Sequence, residues 1–309
     1  GAPQARQAFR WEPEGGLQRL PELGDESGAW DVAADLAAGT AADSLGRARA
    51  VRWSAGGTQV ADLGTLAHPT TGAVGATSRA YGLNSLGQVV GQADIPNAAG
   101  SFTPFHAFLA DPATGMRDLG TLTAAWPGYQ QGYSLAYAIN AGGTVVGTAH
   151  DDSLAYVPFV YTAAGGMRAL PRDPAHLTGE WAAVALNDAG LIAGHVSLAP
   201  NRSLPYYWPS PSTAPTRLPL PAGFPYGEVY SVNAAGQMVG VMWSSDQPGA
   251  TERAFVFTPA TGVQDLTSLL PAGSGWVLTA ARAINAAGQI TGVGTLGGAT
   301  RGVVLTPLL

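Results

Sequence analysis

The stretch AYGLNSLGQVVG, residues 80–91, decides the fold of this 309-residue chain because it recurs along the whole sequence. In each clear copy an asparagine is followed by glycine three and seven residues later. The other copies are AYAINAGGTVVG at 136–147, AVALNDAGLIAG at 183–194, VYSVNAAGQMVG at 229–240 and ARAINAAGQITG at 281–292. A degenerate sixth copy at 31–42 has Asp35 in place of the asparagine and its glycine at Gly39. The anchors near 35, 84, 140, 187, 233 and 285 lie 46 to 56 residues apart, a period typical of repeated supersecondary units.

Each copy consists of two apolar, β-rich runs around a four-residue loop, without the 3.6-residue period of a helix. Asparagine at the start of this loop and glycine near its end are typical of a type I turn that closes on a left-handed residue. The second glycine of each copy, at 91, 147, 194, 240 and 292, predicts a place where a neighbouring backbone approaches closely or the strand bends. A second hairpin-like segment follows each copy, as in HAFLADPATGMRDLGTL at 106–122 and RAFVFTPATGVQDLTSL at 253–269. Each repeat is therefore predicted to be four antiparallel strands. Such sheets repeated around an axis form a β-propeller, so we predict an all-β fold: a single domain over 1–309 with six four-stranded blades.

The ends of the chain bear on how the last blade is completed. The chain begins with a hairpin at 8–22 and ends after a first unit followed by RGVVLTPLL. We therefore expect N-terminal and C-terminal strands to close the last blade together. Both QAFRW at 7–11 and RGVVL at 301–305 resemble the third strand of a repeat, so the sequence leaves open which of them occupies that blade. The alternative prediction is a propeller of seven blades, one of which is partial.

The repeated motifs also resemble a known family. An IN-x-x-G-x-x-x-G run alternates with DLGTL and with the triplet His106, Ala107 and Phe108, and this pairing is similar to the HAF-repeat family of extracellular proteins. The resemblance covers nearly the entire chain. It implies a secreted or surface-exposed propeller, located outside the cell, at its surface or in the periplasm, with a signal peptide removed. It implies no catalytic residues.

The composition and net charge of the chain limit the classes of partner that it can bind. The 15 basic residues are all arginine and face 21 acidic ones, and a net charge of −6 provides no general field for a phosphate backbone, so we expect no nucleic-acid partner. No segment has the roughly 20 consecutive apolar residues of a membrane helix. The absence of cysteine excludes disulfides and thiolate metal sites. We expect a monomer.

No cofactor or metal site is predicted. Calcium-dependent propeller enzymes would gather oxygen ligands from the starts of the inner strands. Only one carboxylate, Glu228, occupies those six positions, and the five histidines show no pair at zinc-ligand spacing. The sequence also contains no nucleophile elbow, phosphate loop or dinucleotide fingerprint in a suitable context. We therefore favour a binding protein over an enzyme.

Candidate ligand contacts lie opposite the asparagine turns, in the connections between blades and the loops between second and third strands. These segments vary in length and content, as binding loops on a rigid scaffold do. Aromatic residues there suit sugar rings or apolar segments, although they could equally fill gaps between adjacent blades. We predict a non-catalytic binding or interaction module for a polysaccharide, a peptide or an envelope component. The predicted ligand-binding residues are Trp30, Trp126, Tyr129, Trp181, Tyr226, Trp243, Trp276, His150, Arg202 and Arg253.

The alternative function is a carbohydrate-active hydrolase or lyase. Such an enzyme needs two carboxyl groups about 5 to 10 Å apart across the scissile bond. Two carboxyl groups facing each other in one pocket would favour the enzyme over the binding module. The candidate acid and base residues are Asp94, Asp151, Asp152, Asp246 and Glu228.

Overall fold

The computed structural model describes residues 6–68, 71–96, 105–123 and 132–308. This part of the chain is all-β, with 25 strands and three short 3-10 turns at Ala55–Gly57, Pro174–His176 and Leu266–Leu269. The repeated four-stranded antiparallel meanders are the blades of a β-propeller, which confirms the predicted fold class. Among the described residues, no helix is long and apolar enough to cross a membrane. The blades group into two compact units that divide near residue 170, with Tyr156–Pro158 counted with the second.

The first unit contains an N-terminal hairpin and three four-stranded sheets. Its strands are β1 (Phe9–Glu12), β2 (Gly16–Arg19), β3 (Ser27–Ala33), β4 (Leu36–Ala42), β5 (Ala48–Trp53), β6 (Val60–Asp62), β7 (Ser78–Leu83), β8 (Val89–Asp94), β9 (Phe105–Asp111), β10 (Gly115–Asp118), β11 (Ser134–Ile139), β12 (Val145–His150), β13 (Tyr156–Thr162) and β14 (Gly166–Ala169). Strands β3–β6 form sheet 1, β7–β10 sheet 2 and β11–β14 sheet 3. Apolar side chains of successive sheets fill the space between them, as where Phe108 of sheet 2 belongs to one cluster with Ala38 of sheet 1.

The second unit contains two four-stranded sheets and one three-stranded sheet. Its strands are β15 (Glu180–Leu186), β16 (Ile192–Ser197), β17 (Ser203–Trp208), β18 (Thr216–Arg217), β19 (Tyr226–Val232), β20 (Met238–Trp243), β21 (Glu252–Thr258), β22 (Gly262–Asp265), β23 (Trp276–Ile284), β24 (Ile290–Leu296) and β25 (Ala299–Leu305). Strands β15–β18 form sheet 4, β19–β22 sheet 5 and β23–β25 sheet 6.

The two chain ends belong to separate sheets in the described residues. The RGVVL segment lies in β25, which pairs with β24 and so takes the third position of sheet 6. The QAFRW segment contributes β1, which pairs with β2 in a two-stranded sheet. Gly297 and Gly298 both have positive φ and allow a tight two-residue turn, so β25 folds directly back on β24 at little loop-closure cost.

The asparagine turns have the predicted type I geometry with a left-handed glycine. In the turn after β7, the side-chain oxygen of Asn84 accepts the backbone N–H of Leu86 and of Gln88, and Gly87 has φ 77°. The amide of Asn84 also donates to the carbonyl of Asn140 in the next sheet, at 3.0 Å. In the second unit Asn187 donates in the same way to Asn233, and Asn233 to Asn285. Each of these asparagines therefore caps its own turn and ties it to the neighbouring sheet.

The second glycine of each repeat lies opposite a β-bulge in the inner strand. Gly91 pairs with Ala80, and the register shifts between Ala80 and Gly82, which leaves Tyr81 as the extra residue. A Cβ atom at Gly91 would overlap the carbonyl oxygen of Arg79. The predicted close backbone approach at these glycines is confirmed, and its consequence is that at least one inner-strand side chain in each sheet leaves the regular alternation.

The N-terminal hairpin covers one face of sheet 1. Ala8 and Leu20 are almost completely buried in one cluster with Val51 and Trp53. The indole N–H of Trp53 donates to the carbonyl of Pro21, which follows the hairpin, at 2.7 Å. Without this hairpin, the apolar face that Trp53 contributes to sheet 1 would lie open to water.

We therefore expect Leu20→Ala to destabilise the first unit by about 2 to 4 kcal/mol, since it removes a buried side chain and leaves a cavity. Leu17→Ala, in the same hairpin but 64% exposed, is the matched control and should change stability by less than about 0.5 kcal/mol. Chemical denaturation of both variants measures the difference. Equal stabilities would contradict the role of the hairpin as a cover.

A carboxylate joins the inner strands of sheets 1 and 2. Asp31 accepts the backbone N–H of Val32 at 2.8 Å through one oxygen and that of Leu83 at 2.7 Å through the other. Burial raises the pKa of Asp31 to about 6, although both hydrogen bonds act to lower it. The folded protein therefore holds the Asp31 proton more tightly than the unfolded chain does.

This pKa predicts a loss of stability as the pH rises from about 4 to about 6, because in this range the unfolded chain releases the Asp31 proton while the folded protein retains it. The loss should reach about 2 to 3 kcal/mol. We expect it to appear as a falling stability difference between the wild type and Asp31→Asn, measured by denaturation at several pH values. The exposed Asp152→Asn is the control. A difference that does not change with pH would contradict the assignment.

Candidate functional site

A cavity of about 900 Å³ lies in the second unit, where the ends of sheets 4, 5 and 6 meet. Two loops form part of its wall: 198–202 between β16 and β17, and 244–251 between β20 and β21. Both loops connect second to third strands, and the asparagine turns are at the other end of the same strands. The cavity is therefore at the end of the blades where the sequence analysis expects ligand contacts.

Two inner strands provide a chain of interacting polar side chains in the cavity. The hydroxyl of Tyr230 donates to Glu228 Oε2 at 3.1 Å, and the guanidinium carbon of Arg282 lies 4.7 Å from the centre of the Tyr230 ring. Burial raises the pKa of Tyr230, and the negative charge of Glu228 raises it further, against the opposing effect of Arg282. The phenol therefore stays protonated and can act as a hydrogen-bond donor at physiological pH.

Tyr230 and Arg282 reach this position because of the bulges. The register shifts between Val229 and Ser231, across Tyr230, and between Ala281 and Ala283, across Arg282. In the first unit the rings of the equivalent Tyr81 and Tyr137 lie 5.9 Å apart. The sequence analysis did not single out these residues. Their signal is the position three residues before each repeat asparagine, which is tyrosine in three of the five clear copies.

At one wall of the cavity, hydrogen bonds join the two loops to each other, and we call this contact the clamp. The indole N–H of Trp243 donates to the carbonyl of Asn201 at 2.7 Å, and Arg202 Nε donates to Asp246 Oδ2 at 2.6 Å. The side chain of Gln247 and then that of Arg202 hold the pKa of Asp246 below its usual range. Three residues named from the sequence, Trp243, Arg202 and Asp246, therefore meet here. Trp243 lines the cavity, while the ion pair between Arg202 and Asp246 holds the loops together.

The cavity contains two further carboxylates, which are outside the set of candidate acid and base residues given by the sequence analysis. Glu180 is the first residue of β15 and Glu252 the first of β21, and both are exposed. The hydroxyl groups of Ser197 and Ser203, also in the lining, lie 3.0 Å apart. The lining thus combines carboxylates, hydroxyls and aromatic rings, the groups that recognise polar ligands with some apolar surface.

A histidine on β16 lies beside this set. The buried Nδ1 atom of His195 has no hydrogen-bond partner among the described residues. Burial lowers the pKa of His195, and the charge of Glu228 acts in the opposite direction. The imidazole is therefore neutral at physiological pH, with one buried nitrogen unsatisfied, a costly arrangement in a protein interior.

Several predicted aromatic contacts lie elsewhere. Trp181 is fully buried against the rings of Tyr206 and Trp208, as a residue that fills the space between packed elements would be. Trp276 packs partly buried against the cluster around Leu278. Tyr226 is half-buried at the start of β19, paired in register with Trp243. Trp30, on the bulge of β3 in the first unit, is 64% exposed. Trp126 and Tyr129 lie outside the described residues.

Two of the polar residues predicted to contact a ligand also lie outside the cavity lining. His150 is buried in the first unit, where its ring meets that of Tyr133 edge to face at 5.2 Å. Arg253 Nε lies 3.6 Å from the carboxylate of Asp265. Neither His150 nor Arg253 lines the cavity.

Of the five predicted carboxylates, Glu228 is the one that lines the cavity of the second unit. Asp94 accepts the backbone N–H groups of Ala76 and Thr77 in the first unit. Asp151 caps a turn through the backbone N–H of Ser153, and Asp152 is exposed in that turn. Within the described ranges, no group of three His, Cys, Asp or Glu side chains is arranged to hold a metal ion.

Comparisons with known proteins show the fold alone. A puromycin-hydrolysing peptidase of Mycobacterium tuberculosis is similar with a TM-score of 0.50 and 16% identity, and a prolyl endopeptidase with 0.55 and 10%. Each comparison covers 98% of this chain and 47% of the peptidase, so the chain spans about half the length of those proteins. A putative TolB from Agrobacterium tumefaciens has a TM-score of 0.37 at 12% identity, over 86% of this chain and 81% of that one. No protein-family model and no curated protein sequence matches the chain.

The bulge that presents Tyr230 can be tested through the glycine opposite it. A Cβ atom at Gly240 would overlap the carbonyl oxygen of Glu228, so Gly240→Ala should destabilise the second unit by about 2 to 3 kcal/mol. Gly302→Ala is the control, because a Cβ atom at Gly302 of β25 meets nothing within 4 Å. Chemical denaturation compares the two variants. Similar stabilities would contradict the view that this glycine is required opposite the bulge.

Proposed function

We propose that this protein is a non-catalytic binding module whose ligand occupies the cavity of the second unit. The observation that carries the proposal is the lining of this cavity, where Tyr230 and Trp243 stand among carboxylates, hydroxyls and the guanidinium of Arg282. A volume of about 900 Å³ is within the range of small-molecule and short-oligomer sites. The clamp between the two loops supports a preformed site, which lowers the entropic cost of binding.

The ligand is a polysaccharide segment or a peptide from outside the cell. The mixed aromatic and polar lining favours a sugar, because a ring stacks on an indole or phenol while its hydroxyls bond to carboxylates. The repeat motifs, which resemble the extracellular HAF-repeat family, support a location outside the cell, at its surface or in the periplasm. The fold similarity to two peptidases supports the peptide as the alternative ligand.

A second candidate function is a carbohydrate-active hydrolase or lyase. It is favoured by one observation, the presence of Glu180, Glu228 and Glu252 in the same cavity. An acid and a base drawn from these three glutamates would replace the set predicted from sequence, of which Glu228 alone is part of this lining.

Calorimetric titration with a panel of oligosaccharides and peptides tests the proposal. We expect Trp243→Ala to weaken binding of the recognised ligand at least tenfold, because the indole lines the cavity and offers a stacking surface. Trp30→Ala, which removes an exposed indole of the first unit outside the cavity lining, is the matched control and should bind as the wild type does. Equal affinities for both variants would reject this cavity as the site. Release of new reducing ends that stops in Glu228→Gln would favour the second candidate.

A further inference from the structure

The cavity of the second unit has an excess of negative charge. Among the side chains that line it, three carboxylates, Glu180, Glu228 and Glu252, face a single cationic group, Arg282. The guanidinium of Arg282 stacks on the Tyr230 ring, where it is 4.7 Å from the ring centre. A ligand entering this cavity therefore meets a net negative field.

Arg202 and Arg253, which adjoin lining residues in the sequence, do not offset this charge, because each has its own acidic partner. Arg202 is bound to Asp246 at 2.6 Å, and Arg253 lies 3.6 Å from Asp265. These pairs are neutral overall, so the three glutamates face Arg282 alone and two negative charges remain in excess.

His195, on β16, does not offset this charge either. Burial lowers the pKa of its imidazole, although the charge of Glu228 acts in the opposite direction. The imidazole is therefore neutral at physiological pH and adds no positive charge beside the carboxylates.

We infer that the ligand of this cavity carries a protonated amine and that it is an amino sugar, an inference that rests on the proposed function. An ammonium group would neutralise the excess of carboxylates through charge-assisted hydrogen bonds to Glu180 and Glu252. The hydroxyls of the sugar ring suit Ser197, Ser203 and the amide of Asn201, all in the lining. An apolar peptide side chain would use these groups less well. The indole of Trp243 supplies a stacking surface for the ring.

The test compares a β-1,4-linked trimer of glucosamine with its fully N-acetylated counterpart by calorimetric titration at mildly acidic pH, where the free sugar amines are protonated. The two probes differ in charge and share the same chain of rings. We expect the free-amine trimer to bind at least tenfold more tightly. The Glu180→Gln, Glu252→Gln double variant should remove that preference, and Glu14→Gln, in the turn between β1 and β2, should keep it.

The other outcomes separate this inference from the proposed function. Equal or tighter binding of the acetylated trimer would overturn the amino sugar and leave a binding module intact. Tighter binding of trilysine than of either sugar, with the same loss in the double variant, would also overturn it, because the amine would then belong to a peptide. If neither trimer binds while another member of the panel binds in a Trp243-dependent way, the inference falls and the proposed function stands.

Discussion

The close approach of two backbones at the second repeat glycine governs the geometry of every blade. At Gly39, Gly91, Gly147, Gly194, Gly240 and Gly292 a Cβ atom would overlap a carbonyl oxygen of the adjacent inner strand. Opposite this glycine the inner strand contains a β-bulge, and one residue of the bulge lies outside the regular alternation of side chains. This residue is tyrosine at 81, 137 and 230 and arginine at 282. A steric requirement of the backbone thus determines which side chains the inner strand presents.

The asparagine of the same repeat forms hydrogen bonds both within its own turn and to the neighbouring sheet. Its side-chain oxygen closes its own turn, and in Asn84, Asn187 and Asn233 the amide reaches the carbonyl of the next sheet. One residue type therefore satisfies backbone groups in two sheets at once. The turns end the strands on one side, so the longer and more variable loops collect on the other. In the second unit two of these loops form one wall of the cavity and are joined by hydrogen bonds of Trp243, Arg202 and Asp246.

The site combines this repeated scaffold with residues that do not repeat. Glu180 and Glu252 are the first residues of β15 and β21, and both are exposed. Tyr230 and Arg282 stand at bulges, and Glu228 is linked to Tyr230 by a hydrogen bond. The charge of the cavity is thus carried by positions that can vary without disturbing the sheets. Specificity can then change while the fold persists, as expected for function on a repeated scaffold.

The repeat alone was sufficient to predict the all-β propeller fold, the turn chemistry of the asparagines and the close approach at the glycines, since these depend on short-range backbone sterics and local hydrogen bonds. Three of the named residues, Trp243, Arg202 and Asp246, meet at one wall of the cavity. Tertiary packing decided the rest. Trp181 lies inside a cluster with Tyr206 and Trp208 because neighbouring strands bring three large rings together. Glu180 and Glu252, 72 residues apart in the chain, share one cavity, and such proximity depends on how sheets pack, which no local pattern encodes.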